Sequence, residues 1–242
     1  MAVLRYTIPN SLTAMSLLLG VGSVVTGQLG ELELAGWMIV WCGLLDTLDG
    51  VAARMLKATS TFGAEFDSMA DLVAFGVAPA MLVLQMGMRV GGVQFGTEAF
   101  LVLLVSVGLF VLAGATRLAR FNLTSDKSSN GWFTGLPITA AGAGLVSTAM
   151  ILLAKHDAVA DALPLHLYLP IGMFVLALLM ISRIRYPKAI RRKSNFINGF
   201  QIFVIVSTFY FGITRSYPEF LFFMALFLLI AGIIAGRINK IE

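Results

Sequence analysis

Apolar residues fill most of the chain in long runs, which short polar or charged stretches separate. A helix that crosses about 30 Å of hydrocarbon needs roughly 20 residues. Eight runs come close to this length, at 11–28, 33–53, 66–88, 98–118, 135–154, 165–184, 197–214 and 218–236. The seventh is the weakest, because Asn198, Gln201 and Gly212 interrupt it. The pattern predicts an all-α bundle of about eight transmembrane helices, forming one domain over residues 1–242.

Composition supports an integral membrane protein. The chain is 58% hydrophobic and only 12% charged, whereas a soluble domain carries about 25% charged residues. Cys42 is the only cysteine, so no intrachain disulfide can form, and its apolar surroundings predict a packing residue. Arg5 precedes the first run, but no clear cleavage site follows it. We therefore expect that run to be a retained helix and not a secretory signal.

The positive charges predict an orientation for this layout. With eight crossings both termini lie on one side, and that side carries fourteen Lys and Arg residues against three on the other. The fourteen are Arg5, Arg54, Lys57, Arg117, Arg120, Lys127, Arg183, Arg185, Lys188, Arg191, Arg192, Lys193, Arg237 and Lys240; the three are Arg89, Lys155 and Arg215. Because cytoplasmic loops carry the excess of positive charge, we expect cytoplasmic termini in a cell (inner) membrane.

Four aspartates stand out around the connection between the second and third runs. Asp46 and Asp49 are three residues apart and Asp67 and Asp71 are four apart, so each pair shares one face of a helix. The short polar segment 57–61 separates the two pairs. Two helices joined by such a turn would bring all four carboxylates together at the cytoplasmic end of helices 2 and 3.

Four carboxylates in one place repel one another. Two unit charges about 4 Å apart cost roughly 4 kcal/mol at an effective dielectric of 20, and each buried acid adds a desolvation cost near the membrane. Protons or cations must offset this. Because aspartate is the evident ligand type, hard divalent cations such as Mg²⁺ or Mn²⁺ fit best. A single Asp is more often a helix cap, but capping does not require four acids at helical spacing.

The acids belong to a longer pattern of fixed positions, which are Asp46, Asp49, Gly50, Ala53, Arg54, Gly63, Asp67 and Asp71. This pattern closely resembles the signature of the CDP-alcohol phosphatidyltransferase family. The resemblance implies a membrane enzyme that transfers a phosphatidyl group from a CDP-linked lipid to an alcohol and releases CMP. It also implies a homodimer.

On this resemblance each acid has an expected role. Asp46, Asp49 and Asp67 would hold two Mg²⁺ or Mn²⁺ ions, a known arrangement for displacement at phosphorus, and Asp71 would complete the site. Asp71 is also the candidate general base, because an alcohol hydroxyl is a weak nucleophile at neutral pH.

The remaining motif residues, with Asn10, are candidates for binding the nucleotide and phosphates of the donor. Gly50 and Gly63 lack a Cβ and would let a ligand come close, although helix packing is the alternative. Ala53 and Arg54 lie between them in the motif. Asn10 belongs to the segment 8–13, which reads as the start of the first helix, with Pro9 near its beginning and Asn10 or Ser11 as its cap.

Further residues are similar to the branch of the family that uses serine. These are the stretch 66–80, the run 117–122 and Gly135-Leu136-Pro137. They imply CDP-diacylglycerol and L-serine as substrates, giving phosphatidylserine. Arg117 and Arg120 share a helix face and are candidates for binding the serine carboxylate or a lipid phosphate in forked geometry, or they are positive-inside anchors.

Pro79 lies inside the third run and would kink its helix unless neighbours compensate.

Other readings stay open at this point. The acceptor could be inositol phosphate, glycerol phosphate or choline, and the donor could be an ether-linked CDP-lipid. Buried acids could instead mark a cation or proton transporter, which would place acids on several spans and favour inverted repeats. A structural or assembly protein would not require the acids. No feature suggests a nucleic-acid partner.

Overall fold

The computed structural model describes residues 2–124, 132–187 and 194–238, and these are almost entirely helical. The helices are α1 (Ala2–Gln28), α2 (Leu32–Met55), α3 (Thr61–Asp71), α4 (Ala78–Arg89), α5 (Glu98–Thr124), α6 (Thr148–Lys155), α7 (Asp157–Ala162), α8 (Leu165–Ile181), α9 (Asn195–Thr214) and α10 (Pro218–Ile238). Two π-helical segments, Leu72–Val77 and Ala140–Ser147, lead into α4 and α6. The basic residues Lys127, Lys188, Arg191, Arg192, Lys193 and Lys240 of the orientation argument lie outside the described residues.

The prediction of an all-α polytopic membrane protein is confirmed. Six helical segments of the described chain are long and apolar enough to cross a membrane: Arg5–Gln28, Leu32–Met55, Thr61–Arg89, Glu98–Leu123, Asn195–Thr214 and Pro218–Arg237. Two further apolar helices, Ala140–Lys155 and Leu165–Ile181, are shorter. Each of the eight predicted runs therefore coincides with a helix, while the number of crossings and their orientation stay predictions.

The outer faces of these helices suit a lipid environment. Large apolar side chains such as Leu18, Phe203 and Phe223 are more than half exposed. A soluble monomer rarely exposes this many large apolar side chains together. The core lies between the helices, where Trp37 and Phe75 are fully buried.

A small two-stranded antiparallel sheet was not predicted from the sequence. Strand β1 (Trp132–Thr134) pairs with β2 (Arg185–Pro187), and Phe133 lies opposite Tyr186. The strands adjoin the start of one predicted run and the end of another, and three residues are too few to show an alternating pattern. The sheet pairs the segment after α5 with the segment after α8.

The start of α1 differs from the prediction. Asn10 and Ser11 were expected to cap this helix, but it begins at Ala2 and continues through Pro9. A proline inside a helix removes one backbone hydrogen bond and crowds the preceding turn. Packing compensates here, because Pro9 is buried where α1 lies against its neighbours. Asn10 therefore lies in the second to third turn of a helix, which turns its side chain to a neighbouring element.

Helices α1 and α2 run antiparallel along a seam of buried hydroxyls. Ser23 Oγ donates to the carbonyl oxygen of Ala35 at 2.8 Å, and Ser16 Oγ donates to that of Cys42 at 3.3 Å. Cys42 is fully buried in this seam, which confirms it as a packing residue. Each bond satisfies a polar group that would otherwise be costly to bury.

The third predicted run is one continuous helical segment, Thr61–Arg89, with a wide turn in its middle. The π-helical segment Leu72–Val77 precedes Pro79, and the N–H of Ala78 donates to the carbonyl of Val73, five residues back. The wide turn accommodates the missing N–H of Pro79, which is how the expected kink is compensated. Asp71 ends the α-helical part directly before this turn.

Candidate active site

Helix α2 ends in a Schellman motif that turns the chain toward α3. Lys57 takes the left-handed conformation with φ 51°. The N–H of Ala58 donates to the carbonyl of Ala53 at 2.9 Å, and the N–H of Lys57 donates to that of Arg54 at 3.3 Å. This pair of bonds defines the motif. The polar turn expected after α2 is confirmed, and its geometry fixes how the two acid-bearing helices meet.

The first turn of α3 is capped and lies beside α1. Ser60 Oγ accepts a hydrogen bond from the N–H of Gly63 at 3.0 Å, an N-cap contact. A Cβ added at Gly63 would lie 3.3 Å from Asn10 Oδ1. The Asn10 amide of α1 therefore faces the beginning of α3, and three helices converge on the site.

The structure brings the four acids together. Asp46, Asp49 and Asp67 each offer a carboxylate oxygen, and these three oxygens lie within 4.8 Å of one another. The carboxyl group of Asp71 is close enough to that of Asp46 for the two to interact. Asp49 is buried, and the other three are partly buried. The helical spacing of the sequence predicted this convergence.

The cluster fits a divalent cation. All its ligand atoms are carboxylate oxygens, the type that Mg²⁺ and Mn²⁺ prefer. At these separations each pair of carboxylates repels by roughly 4 kcal/mol at an effective dielectric of 20. A cation between the carboxylates would attract each of them, and this attraction would outweigh their mutual repulsion. Asp46, Asp49 and Asp67 are therefore the residues able to hold a metal, with Asp71 beside them.

Helix α1 contributes a residue that the sequence analysis did not single out. Thr13 Oγ1 donates to Asp49 Oδ2 at 2.7 Å, and Thr13 is only 5% exposed. The signal that could have found it is the spacing of Asn10 and Thr13, three residues apart on one face of α1. That face turns toward the acids.

The other motif residues of α2 lie next to the acids. The guanidinium of Arg54 folds back over Gly50, since a Cβ at Gly50 would lie 3.6 Å from Arg54 Nη1. Arg54 is exposed, while Gly50 and Ala53 are partly exposed. The three residues form an open surface on the last turns of α2, beside the acid cluster.

Arg117 is a buried cation near the acids. It lies on α5, is 8% exposed, and its Nε has no hydrogen-bond partner among the described residues. Its guanidinium carbon is 6.0 Å from the centre of the Phe133 ring in β1. Its charge interacts with that of Asp71. A buried guanidinium with an unused donor is a candidate to bind an anion.

Arg120, one turn further along α5, has a different environment. Its Nη1 donates to the carbonyl of Ile181 at 3.1 Å, and its Nη2 donates to that of Thr134 at 3.0 Å. A weaker contact reaches the carbonyl of Met180 at 3.4 Å. Two of these carbonyls end α8, where helical partners are lacking. Arg120 thus holds α5, α8 and β1 together, and its proposed substrate contact stays a prediction.

Comparison with known proteins supplies the family. The sequence profile described as "CDP-alcohol phosphatidyltransferase" matches residues 6–183, which is more than half of the chain. The chain belongs to this family. The matched range contains the four aspartates of the cluster, Asn10, Thr13, Arg117 and Arg120. Helices α9 and α10 follow it.

Curated relatives of this CDP-alcohol phosphatidyltransferase carry serine in their names. A protein of Helicobacter pylori (strain J99) called "CDP-diacylglycerol--serine O-phosphatidyltransferase" is 37% identical over 206 residues, 84% of this chain and 80% of its own. One of the same name from Methanocaldococcus jannaschii is 36% identical over 69% of this chain and 70% of its own. An "Archaetidylserine synthase" of Methanothermobacter thermautotrophicus is 32% identical over 75% of this chain and 70% of its own.

Proposed function

We propose that this CDP-alcohol phosphatidyltransferase transfers the phosphatidyl group of CDP-diacylglycerol to L-serine, giving phosphatidylserine and CMP. The observation that carries the proposal is the convergence of the acids on α2 and α3 beside the buried Arg117 of α5. This arrangement offers a site for a metal-bound pyrophosphate and, next to it, a site for a second anion. The names of the relatives support serine as the acceptor.

The acids would act as ligands. Asp46, Asp49 and Asp67 hold two Mg²⁺ or Mn²⁺ ions, and Asp71 completes the set. When bound, these ions supply the positive charge that attracts the pyrophosphate of the donor and stabilises the negative charge on the leaving CMP. The cytidine nucleotide lies along Gly50, Ala53 and Arg54, and Asn10 and Gly63 close the pocket from the side of α1 and α3.

The reaction needs a base near the serine hydroxyl. The hydroxyl oxygen of serine attacks the phosphorus of the phosphatidyl group, and the bond from this phosphorus to the bridging oxygen of the pyrophosphate breaks. CMP leaves with the electron pair, and the proton of the serine hydroxyl passes to Asp71. Asp71 suits this role because its carboxyl group interacts both with the acid Asp46 and with the buried cation Arg117.

Arg117 would bind the carboxylate of serine. A guanidinium matches a carboxylate in a forked, two-bond geometry, and the Nε of Arg117 has no partner within the described part of the chain. Binding there holds the hydroxyl of serine close to Asp71. An acceptor without a carboxylate would leave this buried cation unpaired, which is costly. This distinguishes serine from choline as the substrate.

The test of the function is a screen of acceptor alcohols. Purified protein with Mn²⁺ and CDP-diacylglycerol is supplied in turn with serine, inositol phosphate, glycerol phosphate and choline, and CMP release is measured together with the lipid product. Serine alone should support rapid CMP release. An ether-linked CDP-lipid is the second donor, because one relative is called archaetidylserine synthase. CMP release without metal, or none with any alcohol, would overturn the proposal.

The base is tested with Asp71→Asn. General bases contribute about 10²–10⁴-fold to rates, so we expect turnover to fall at least about a hundredfold while CDP-diacylglycerol still binds. Asp161→Asn is the matched control, because Asp161 is exposed on α7, outside the site. Wild-type turnover in Asp71→Asn would rule out Asp71 as the base.

The cellular setting is part of the proposal. We place the acids on the cytoplasmic face of the cell membrane, where soluble serine would enter and CMP would leave, and the excess of positive charge at the ends of the crossings supports this orientation. A homodimer, and one domain over residues 1–242, also stay predictions.

A further inference from the structure

A buried hydrogen bond links α1 to the acid cluster on α2. Thr13 Oγ1 donates to Asp49 Oδ2 at 2.7 Å, and the two residues are 5% and 6% exposed. Thr13 Oγ1 also lies 3.1 Å from the carbonyl of Pro9, one turn earlier on the same helix. Because a hydroxyl carries one proton, Thr13 donates to one of these two oxygens at a time, and the shorter distance favours the carboxylate.

This bond restrains the carboxylate plane of Asp49. The last torsion of an aspartate side chain is broad and weakly restricted, so a free carboxylate samples many orientations. A short bond from a fixed hydroxyl to one oxygen limits that torsion. Asp49 then keeps an oxygen within 4.8 Å of the oxygens of Asp46 and Asp67.

We infer that Thr13 is a positioning residue for the metal site, acting through Asp49. The inference rests on the proposed function, which supplies the metal. Groups that hydrogen-bond to metal ligands orient them and raise metal affinity, and their loss typically costs about 10–100-fold. Threonine suits this place because it supplies a hydroxyl donor to the carboxylate from a buried position.

Two other hydroxyls of the same seam show what a purely structural contact looks like. Ser16 and Ser23 are also buried and also cross from α1 to α2, but they donate to backbone carbonyls and not to a carboxylate. Ser23 is 1% exposed and lies more than two helical turns beyond Thr13 in the sequence. A change there removes a bond of the same kind without touching an acid.

The experiment measures Mn²⁺ binding to the purified full chain without substrates. Free Mn²⁺ is followed by its electron paramagnetic resonance signal, and thermal unfolding is recorded for each variant. Thr13→Val keeps the shape but removes the donor, and we expect it to weaken Mn²⁺ binding about 10–100-fold. Thr13→Ser should recover most of the affinity. Ser23→Ala should unfold at a lower temperature and bind Mn²⁺ like the wild type.

Each outcome decides between the possibilities. Equal affinity in wild type and Thr13→Val would overturn the inference, and so would a loss in Ser23→Ala as large as in Thr13→Val, since both then report stability alone. If the wild type binds no Mn²⁺, the proposed metal site itself fails, which is a separate result. Should Thr13→Val not fold, Thr13→Ala is measured in its place with the same expected loss.

Discussion

At the scale of single residues, the spacing of the four aspartates predicted that they converge, because spacing along a helix decides which face a side chain lies on. Residues three or four apart share a face, so the positions of Asp46, Asp49, Asp67 and Asp71 required only a turn between two helices to meet. Thr13 escaped this reasoning. A threonine in an apolar helix commonly bonds to its own backbone, and only the packing of α1 on α2 shows that its hydroxyl reaches a carboxylate.

Two arginines one turn apart illustrate the same limit. The sequence presents Arg117 and Arg120 as an equivalent pair on one face of α5. In the structure Arg120 donates to three carbonyls at the ends of α8 and β1, whereas the Nε of Arg117 lacks a partner among the described residues. The difference comes from where α8 ends, which is a property of the tertiary structure and not of the local pattern.

This difference leads to a prediction for the acceptor. Arg117→Lys keeps the charge but loses the forked geometry and the Nε donor. A hydrogen bond to a charged group is worth about 1.5–3 kcal/mol, which corresponds to roughly 10–100-fold in affinity. We expect KM for serine to rise by this factor with KM for CDP-diacylglycerol nearly constant, measured by steady-state CMP release.

Arg120→Lys provides the comparison on the same helix. Its main effect should be a lower Tm in detergent, because three carbonyls lose their shared donor, and its change in KM for serine should be the smaller of the two. An unchanged KM for serine in Arg117→Lys would contradict the carboxylate-binding role of Arg117.

At the scale of helices and strands, the sequence predicted positions better than internal geometry. All eight apolar runs became helices, because lipid leaves the backbone few other ways to satisfy its hydrogen bonds. The predicted start of α1 was wrong, because the burial of Pro9 outweighs the low helix propensity of proline. The π-helical segments were not predicted, because a one-residue widening leaves hardly any trace in an apolar sequence.

The two π-helical segments meet where helices pack most closely. Gly142, in the segment Ala140–Ser147, has no room for a Cβ: the added atom would collide with the carbonyl oxygen of Phe75 and lie 2.8 Å from its Cα. Phe75 belongs to the segment that follows Asp71. Glycine at this crossing lets two backbones touch directly, as small residues do in membrane helices.

We therefore predict that Gly142→Ala destabilises the fold. The colliding atoms are backbone atoms, which cannot rotate away, and overpacking of this kind costs about 1–3 kcal/mol. The Tm of the purified protein in detergent should fall by several degrees. Gly108→Ala and Gly172→Ala are the controls, because a Cβ at either position meets nothing within 4 Å. A Tm for Gly142→Ala equal to that of the controls would show that the crossing relaxes freely.

At the scale of the whole molecule, contacts assign each connection to one of two ends of the bundle. One end holds the four aspartates, the two-stranded sheet and the contact of Arg120 with Ile181. At the other end Arg89 donates to the carbonyl of Gln28, and His156 Nε2 lies 3.1 Å from Glu219 Oε1. The sequence predicted this division from charge and from the lengths of the apolar runs.

The two short helices reach from one end to the other. A Cβ at Gly87 would contact Leu103 and Leu169, which puts the start of α8 beside the start of α5, and the end of α8 meets Arg120. In the same way Ile151 of α6 lies against Gly36, near the start of α2. At 1.5 Å per residue α8 is about 25 Å long, close to the thickness of the hydrocarbon.

Eight crossings are therefore expected, and the connection 156–164, which contains the short helix α7, is the place to test them. With eight crossings this connection lies opposite the acids. If α6 and α8 did not cross, the termini would keep their side but this connection would lie on the side of the acids. Single cysteines are introduced by Thr59→Cys, Gln94→Cys and Asp161→Cys, at exposed positions, and intact cells are treated with a membrane-impermeant maleimide.

Labelling from outside should occur at positions 94 and 161, and at position 59 only after the membrane is permeabilised. The unaltered chain is the blank, because Cys42 is fully buried. Labelling of 94 but not of 161 in intact cells would mean six crossings, because the two positions lie on the same side only if the two short helices cross the membrane. Labelling of position 59 from outside would show that the orientation is the reverse of the predicted one. In that case the acids would face away from cytoplasmic serine, and the positive charges would lie on the side opposite to the one that the positive-inside rule requires.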